Sequence, residues 1–201
     1  MEVLLVSAVS WEIRPVLRHL RPGASAVTLG VGEARAGSRL REALAAHRPR
    51  RVLLAGFSGG VREGQRAGDI ALAESFSRLK EKAELHHAAP LSLRAGLERH
   101  LKEKNVVLLK ETRAVTVAKL AGPAVKNQAG TAWPDACGVD MESHALADIC
   151  ARENIPFLCV RAIFDEAKEP LFSLGGILRL PSRYRLASSR LAEAVLFLLE
   201  S

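Results

Sequence analysis

The chain has 201 residues, enough for one domain with a sizeable core, and 48% of them are hydrophobic, which excludes a disordered protein. The formal net charge is +7, but basic residues are scattered among acidic ones and only 4% of residues are aromatic, which disfavours a nucleic-acid-binding surface. Three cysteines in no paired spacing argue against a disulfide framework and against a zinc site.

The sequence carries no recognisable targeting or metal-binding signal. Met1-Glu2-Val3 has an acid where a signal peptide has basic residues, and no apolar run reaches transmembrane length. The six histidines form no metal-ligand spacing with one another or with the acids. We therefore expect a cytoplasmic protein with no membrane span, no metal and no nucleic-acid partner.

Buried strands and amphipathic helices are predicted in alternation along the chain. Short apolar runs between Gly, Pro and polar residues are typical of buried strands, whereas apolar residues three or four apart indicate helices. In chain order, we expect a strand at 3–6, a helix from 11 with Ser10 as its cap, a strand at 26–29, a helix at 33–47, strands at 51–55 and 70–73, a loop or flap at 76–89, a helix at 91–101, strands at 106–109 and 114–117, a helix at 140–153, a strand at 155–163, a loop at 170–181 and a helix at 184–199. This order predicts a single α/β domain over residues 1–201 with a central, mostly parallel sheet.

Two glycine-rich segments follow predicted strands, at the edge where open α/β sheets bind ligands. Gly56-Phe57-Ser58-Gly59-Gly60 directly follows the strand at 51–55, and its glycines indicate either a loop that holds a ligand or a plain tight turn. Gly30-Val31-Gly32 is similar to a dinucleotide fingerprint, but Arg35 stands in place of the third glycine, so we exclude NAD. The helix that follows can still offer its N-terminus to an anion or to a polar ligand edge.

Acidic residues at the ends of predicted elements are the candidates for chemistry. Asp165 follows a strongly apolar strand, where partial desolvation raises the pKa of a carboxyl group toward that of a useful general acid; the alternative is a loop cap. Asp140 and Glu142 lie at the expected start of a helix, and Asp140 can cap it, leaving Glu142 free to reach a ligand. Glu12, taken alone, is an ordinary acid at a helix start.

Five segments in this order resemble the superfamily of purine nucleoside phosphorylases and methylthioadenosine–S-adenosylhomocysteine nucleosidases. They are the first strand with Glu12, the Gly30-Val31-Gly32 turn, Gly56–Gly60 with Gly68-Asp69-Ile70, Val139-Asp140-Met141-Glu142-Ser143, and Val160-Arg161-Ala162-Ile163-Phe164-Asp165. The Asp-Met-Glu-Ser form is most similar to the bacterial branch associated with hopanoid and adenosyl-lipid nucleosides. The resemblance implies a three-layer α-β-α sandwich with a mixed, mostly parallel sheet.

The resemblance also implies roles for individual residues in cleaving an N-glycosidic bond. Asp165 is the expected acid that protonates a purine at N7, and Glu142 binds the ribose hydroxyls with Met141 packed beneath the sugar. Glu12 is the expected acid that activates water. Arg161 is similar to a structural strand arginine of the family. The other expected substrate-binding residues are Gly59, Ser58, Phe164 and Val115.

Three functions remain open at this point. Glu12 favours hydrolysis of a 5′-modified adenosine without a cofactor. Phosphorolysis, with phosphate as co-substrate, is the alternative, although only Arg14 is available near the N-terminus for a phosphate loop. A non-catalytic nucleoside-binding protein is the third, because Phe164 stands where the family has a small polar residue and 111–115 lacks its Ser-Gly-Asp motif. The family also implies a homodimer or a larger homo-oligomer.

Overall fold

The computed structural model describes residues 2–81, 83–169 and 174–201, of which 174–177 are described by their backbone alone, and within these ranges nine strands form one sheet beside six helices. The strands are β1 Val3–Ser7, β2 Ala24–Thr28, β3 Arg51–Gly59, β4 Ile70–Ala73, β5 Ser75–Arg78, β6 Glu84–His86, β7 Arg113–Thr116, β8 Ala136–Asp140 and β9 Phe157–Asp165. The helices are α1 Ser10–Leu17, α2 Glu33–His47, α3 Leu91–Glu103, α4 Pro123–Ala132, α5 Ser143–Arg152 and α6 Leu174–Glu200.

The sheet consists of two groups of parallel strands that meet at the end of β3. One group is β2-β1-β3-β9, and the other is β8-β7-β5. An antiparallel contact between Gly59 and Val139 joins β3 to β8, while β4 and β6 lie antiparallel to β9 and β5. Parallel pairings therefore outnumber antiparallel ones among the described strands, which confirms the expected mixed, mostly parallel sheet.

Alternating side chains of the inner strands supply a hydrophobic core on each face of the sheet. In β1, Leu4 and Val6 pack on the face of α2 and α5, whereas Leu5 packs on the opposite face with α1, α3 and α6. In β3, Leu54 and Leu53 divide between the two faces in the same way. A strand buried on both faces reads as a continuous apolar run because both sets of side chains are covered. The three-layer α-β-α arrangement is thus confirmed.

Several element boundaries differ from the prediction in the first half of the chain. Val9 rather than Ser10 is the N-cap of α1, and the carboxylate of Glu12 accepts its backbone N–H. β3 does not end at residue 55 but continues through Gly59, because Gly56 keeps a strand conformation and pairs with β9. Residues 76–89 are not one loop, since β5 and β6 form an antiparallel pair there.

The second half of the chain holds two elements that the prediction missed, α4 and β8. The expected strand at 106–109 is reduced to an isolated bridge between Leu108 and Ile70. The expected loop at 170–181 is wrong for residues 174–181, which belong to α6 with Pro181 inside it, while 170–173 lie outside the described residues. None of the described helices is both long and apolar enough to cross a bilayer.

Candidate active site

A cavity of about 250 Å³ lies where the carboxyl ends of the two parallel groups face each other. The segments after β1 and β7 and the ends of β3, β8 and β9 all contribute to its wall. Its charged lining groups are four carboxyl side chains and one lysine: Glu12, Asp140, Glu142, Asp165 and Lys126. This is the edge at which α/β sheets bind ligands.

A larger hollow of about 490 Å³ lies at the opposite edge of the sheet, next to the two chain ends. Its charged groups include Glu2, Arg21, Arg50 and Glu200, whose side chains are mostly exposed and pair with one another. Solvated surface ion pairs of this kind have little influence on a bound molecule. We therefore place the candidate site in the smaller cavity, where the ionisable groups are buried.

Glu12 is held at the start of α1 by backbone donors on both of its oxygens. Its Oε1 accepts the N–H of Phe57 at 2.8 Å, and its Oε2 accepts the N–H of Val9 at 3.1 Å. Burial raises the pKa of Glu12, while the positive charge of Arg161 opposes that rise. A carboxylate with a raised pKa is a stronger base than an exposed one, which suits Glu12 to accept a proton.

Asp140 is committed to the protein itself although it lines the cavity. Its Oδ1 accepts hydrogen bonds from the N–H groups of Glu142 and Ser143 and from the hydroxyls of Ser143 and Thr116. Its Oδ2 lies 2.6 Å from Nη2 of Arg161, and both side chains are almost fully buried. The expected helix start at residue 140 is wrong, because Asp140 ends β8 and α5 begins at Ser143 with Glu142 as its N-cap. The Asp140 side chain instead orders the turn that leads into α5 and pairs with the charge of Arg161 beneath the site.

Glu142 is the acid that remains open to the cavity. Its Oε1 accepts the N–H of Gly32 at 2.9 Å, and its Oε2 lies 3.7 Å from Nη2 of Arg161. Gly32 has φ of +90°, a conformation that favours glycine and that aims its amide at this carboxylate. Burial, followed by the negative charge of Asp140, raises the pKa of Glu142 to about 7.

Gly56 is required by close approach and not by a turn. A Cβ atom at this position would lie 2.5 Å from Nη1 of Arg161 and 2.8 Å from Oε1 of Glu12. The missing side chain therefore allows Arg161 and Glu12 to pass beneath β3 and approach each other. The sequence suggested Gly56 as part of a loop or turn, but it lies within β3, where the absence of a side chain makes room for Arg161 and Glu12.

Asp165 ends β9 and faces Lys126 from α4. The Lys126 ammonium donates to Oδ2 of Asp165 and also to the carbonyl oxygens of Glu166 at 2.9 Å and Glu169 at 3.4 Å. Lys126 is only 1% exposed. Burial raises the pKa of Asp165, and the hydrogen bond and charge of Lys126 oppose that rise.

Three aromatic side chains, Trp11, Phe57 and Phe164, form a wall at one side of the cavity, and Tyr184 packs against Trp11 and Phe57. Phe57 stacks on Phe164 with 5.0 Å between ring centroids, and Trp11 lies 5.3 Å from Phe57 and 5.5 Å from Tyr184. The hydroxyl of Tyr184 donates to the backbone oxygen of Trp11, which ties α6 to the start of α1. The wall holds three of the nine aromatic residues of the chain, so the site combines acids with an apolar surface.

The family model described as the phosphorylase superfamily matches residues 19–196, well over half of the chain. The chain belongs to the phosphorylase superfamily. The expectation drawn from the five motif segments is thereby confirmed.

Curated relatives within the phosphorylase superfamily include 5′-methylthioadenosine/S-adenosylhomocysteine nucleosidases of Haemophilus influenzae strains PittEE and PittGG. Each is 29% identical to this chain over 149 residues. The matched stretch is 68% of this chain and 65% of each relative, so the chain spans a little under two thirds of the length of those proteins.

Solved structures with the same fold cover nearly the whole chain. The 5′-methylthioadenosine/S-adenosylhomocysteine nucleosidase from Neisseria meningitidis in complex with methylthio-immucillin-A has a TM-score of 0.80 at 16% identity, covering 99% of this chain and 98% of that chain. The S-adenosylhomocysteine nucleosidase from Streptococcus pyogenes in complex with 5-methylthiotubericidin has a TM-score of 0.81 at 19% identity, covering 100% and 96%. The native futalosine hydrolase of Helicobacter pylori has a TM-score of 0.78 at 16% identity, covering 97% of both chains. At these identities the likeness shows the phosphorylase-superfamily fold.

Seven of the eight site residues expected from the sequence line the 250 Å³ cavity of this chain. They are Glu12, Ser58, Gly59, Met141, Glu142, Phe164 and Asp165. Val115 is not among them, because it is fully buried in the apolar cluster behind the cavity wall, and Val117, from the same cluster, lines the cavity in its place. Val115 and Val117 are two residues apart and therefore lie on the same side, but Val117 follows the last residue of β7, at the carboxyl edge where the cavity lies.

Sequence reasoning missed Lys126 and the apolar residues Val117, Leu120 and Ala121 of the same wall. A signal for α4 exists, since Gly122-Pro123 fits a helix that begins with proline. Nothing local marks Lys126 as a partner of Asp165, which lies 39 residues further along the chain. Among the described residues, no group of three or more His, Cys, Asp and Glu side chains is arranged to hold a metal ion.

Proposed function

We propose that this protein hydrolyses the N-glycosidic bond of a purine nucleoside. The observation that carries the proposal is the charge of the cavity: four carboxyl groups line it, and its one lysine is hydrogen-bonded to one of them. Cleavage of a glycosidic bond passes through a sugar with oxocarbenium character, which is positively charged at C1′. The carboxylates of Glu12 and Glu142 stabilise that charge where it develops.

Three acids take distinct roles in the proposed reaction. Asp165 donates a proton to N7 of the base as the bond between C1′ and N9 breaks, so that the bonding electron pair leaves with a neutral purine. Glu12 accepts a proton from the water whose oxygen bonds to C1′. Glu142 accepts hydrogen bonds from the ribose hydroxyls. The products are the free base and the free sugar, and no other reactant is required.

The same charge argues for water rather than phosphate as the nucleophile. Among the described residues no arginine lines the cavity, and Arg161 lies beneath Gly56 with its charge directed at Asp140. A phosphate dianion next to Glu12 and Glu142 would be repelled, whereas a neutral water would not. Within the described ranges, the cavity therefore lacks the free cationic groups that phosphorolysis needs to hold a phosphate and neutralise its charge.

For the substrate we propose a 5′-modified adenosine with an apolar 5′ group. The aromatic wall of Trp11, Phe57 and Phe164 offers an apolar surface beside the acids. The curated relatives are named as nucleosidases for 5′-methylthioadenosine and S-adenosylhomocysteine, which are substrates of this class. We also propose a cytoplasmic location, supported by three buried, unpaired cysteines that fit a reducing compartment.

A panel of nucleosides tests the proposal. The protein is incubated with 5′-methylthioadenosine, S-adenosylhomocysteine, adenosine and inosine, and the free base is quantified by chromatography. We expect release of adenine, fastest from 5′-methylthioadenosine. Asp165→Asn should lower kcat by about 10²- to 10⁴-fold, the usual contribution of a general acid.

Asp148→Asn is the matched control for the general acid. Asp148 lies on α5, away from the cavity, and pairs with Arg152 at the surface, so its variant should retain wild-type turnover. Failure to release base from any of the four nucleosides contradicts the proposal. Nucleoside binding without turnover would instead identify a binding protein.

A further inference from the structure

Lys126 carries a buried ammonium whose hydrogen-bond acceptors, among the described residues, all lie in one short stretch of chain. Its three acceptors are Oδ2 of Asp165 and the carbonyl oxygens of Glu166 and Glu169. A buried lysine is tolerated when its charge is paired and its donors are used, and Lys126 meets both conditions. Within the described part of the chain, the polar contacts of this side chain therefore act on Asp165 and on the residues that follow it.

Gly59 makes this contact compatible with the cavity wall. A Cβ atom on Gly59 would lie 2.9 Å from Cε of Lys126 and 3.4 Å from Oδ1 of Asp165. Without a side chain, Gly59 lets Lys126 reach Oδ2 of Asp165 from α4, while Oδ1 lies next to Gly59, which itself lines the cavity. The two carboxyl oxygens of Asp165 therefore have different neighbours.

We propose that Lys126 is a positioning residue for Asp165: it fixes one carboxyl oxygen through the ammonium and leaves the other to protonate the departing base. This inference rests on the proposed function. The proton moves from Oδ1 to N7 of the purine as the C1′–N9 bond breaks, and the negative charge left on Asp165 lies against the Lys126 ammonium. Afterwards Glu12 releases to solvent the proton it took from the attacking water, and Asp165 takes a proton back from solvent.

The other charged groups around Asp165 reinforce the importance of Lys126. Arg183 from α6 and Glu169 from the loop after β9 both act on Asp165, but they form an ion pair with each other and their effects oppose. Lys126 from α4 is the cation with a direct hydrogen bond to Asp165. Burial raises the pKa of Asp165 and Lys126 limits that rise, so removing the ammonium should raise it further.

A carboxyl titration tests the contact without relying on turnover. The chain has five aspartates, so ¹³C-labelled aspartate gives five carboxyl signals, and Asp165→Asn identifies the one of interest. We expect Asp165 to titrate at higher pH in Lys126→Gln than in the wild type, and Lys126→Arg to restore most of the difference. Lys168→Gln is the matched control, because Lys168 lies three residues after Asp165 but pairs with exposed Glu63. An unchanged titration in folded Lys126→Gln overturns the proposal.

A leaving-group comparison tests the same residue kinetically. Lys126→Gln should lower kcat for 5′-methylthioadenosine by about 10²-fold with little change in KM, because acid catalysis to the base is weakened. It should scarcely affect 4-nitrophenyl β-D-ribofuranoside, whose phenolate departs without a proton. Equal losses on both substrates would mean that Lys126 has only a structural role, and would overturn the proposal.

Two outcomes keep the inference separate from folding and from the proposed function. If Lys126→Gln does not fold, Lys126→Arg is the deciding variant. Its planar guanidinium keeps the positive charge but cannot donate three hydrogen bonds from one nitrogen, so kcat for 5′-methylthioadenosine should fall by about tenfold. A wild-type kcat in Lys126→Arg overturns the proposal. If the wild type releases no base, the proposed function fails, and the titration of Asp165 still decides whether Lys126 controls this carboxyl group.

Discussion

Asp140 and Glu142 are two residues apart, yet their carboxyl groups have different surroundings. Asp140 fills its acceptors with backbone and hydroxyl donors and with Arg161, whereas Glu142 receives one amide, that of Gly32. Hydrogen bonds and the charge of Arg161 offset the desolvation of the Asp140 carboxylate, whereas the desolvation of Glu142 is only partly offset. Glu142, buried but not fully paired, is therefore suited to bind a ligand hydroxyl. Its ionisation should be measurable in the pH dependence of stability.

The pH dependence of stability should reveal Glu142. Its pKa is raised from an ordinary 4.5 to about 7, so the folded state keeps a proton that the unfolded state loses. Stability therefore falls as pH rises from 4.5 to 7, and Glu142→Gln should lack this component. We expect Glu142→Gln to gain on the wild type by up to about 3 kcal/mol across that window, measured by urea denaturation. Parallel pH profiles of the two proteins would contradict the assignment.

At the scale of elements, β3 depends on Gly56 to stay a continuous strand above the buried charges. Gly56→Ala places a methyl group 2.5 Å from Nη1 of Arg161 and 2.8 Å from Oε1 of Glu12. We expect a loss of about 1–3 kcal/mol in the free energy of unfolding, together with reduced turnover. Gly122→Ala is the control, because a Cβ there meets no atom within 4 Å and φ is −81°. Equal stability of both variants would show that the strand can shift to make room.

Elements with a strong periodic pattern were predictable, and short elements with small or polar residues were not. The bounds of α2 match the prediction at both ends, because its apolar residues recur at helical spacing over 15 residues. β8 has Ala, Cys and Gly among its five residues and α4 has a mixed composition, so neither stands out from a loop. The ion pair of Lys126 with Asp165 is a product of tertiary structure, and no spacing rule could reveal it.

At the scale of the whole molecule, the protein has a positive net charge, whereas most charged groups that line its candidate site are acidic. The chain carries a net charge of +7, yet its candidate cavity is lined by four carboxyl groups and one lysine. The topology produces this contrast, because the two groups of parallel strands bring their carboxyl ends together. One strand of each group ends in an acid: β8 ends at Asp140 and β9 ends at Asp165. The order of the motif segments was therefore a better guide to the site than composition.

The assembly remains a prediction at this scale. We expect a homodimer or a larger homo-oligomer, as the sequence resemblance implies. Light scattering coupled to gel filtration should then give at least twice the 21.7 kDa of one chain. A single-chain mass at micromolar concentration would contradict the expectation without affecting the site.

The identity of the sugar product tests the central claim most directly. The wild-type protein is incubated with 5′-methylthioadenosine in phosphate buffer, and the products are identified by mass spectrometry. Hydrolysis at the acid-lined cavity predicts adenine and free 5-methylthioribose, at a rate that does not depend on phosphate. A 5-methylthioribose 1-phosphate product, formed in proportion to the phosphate concentration, would contradict the account.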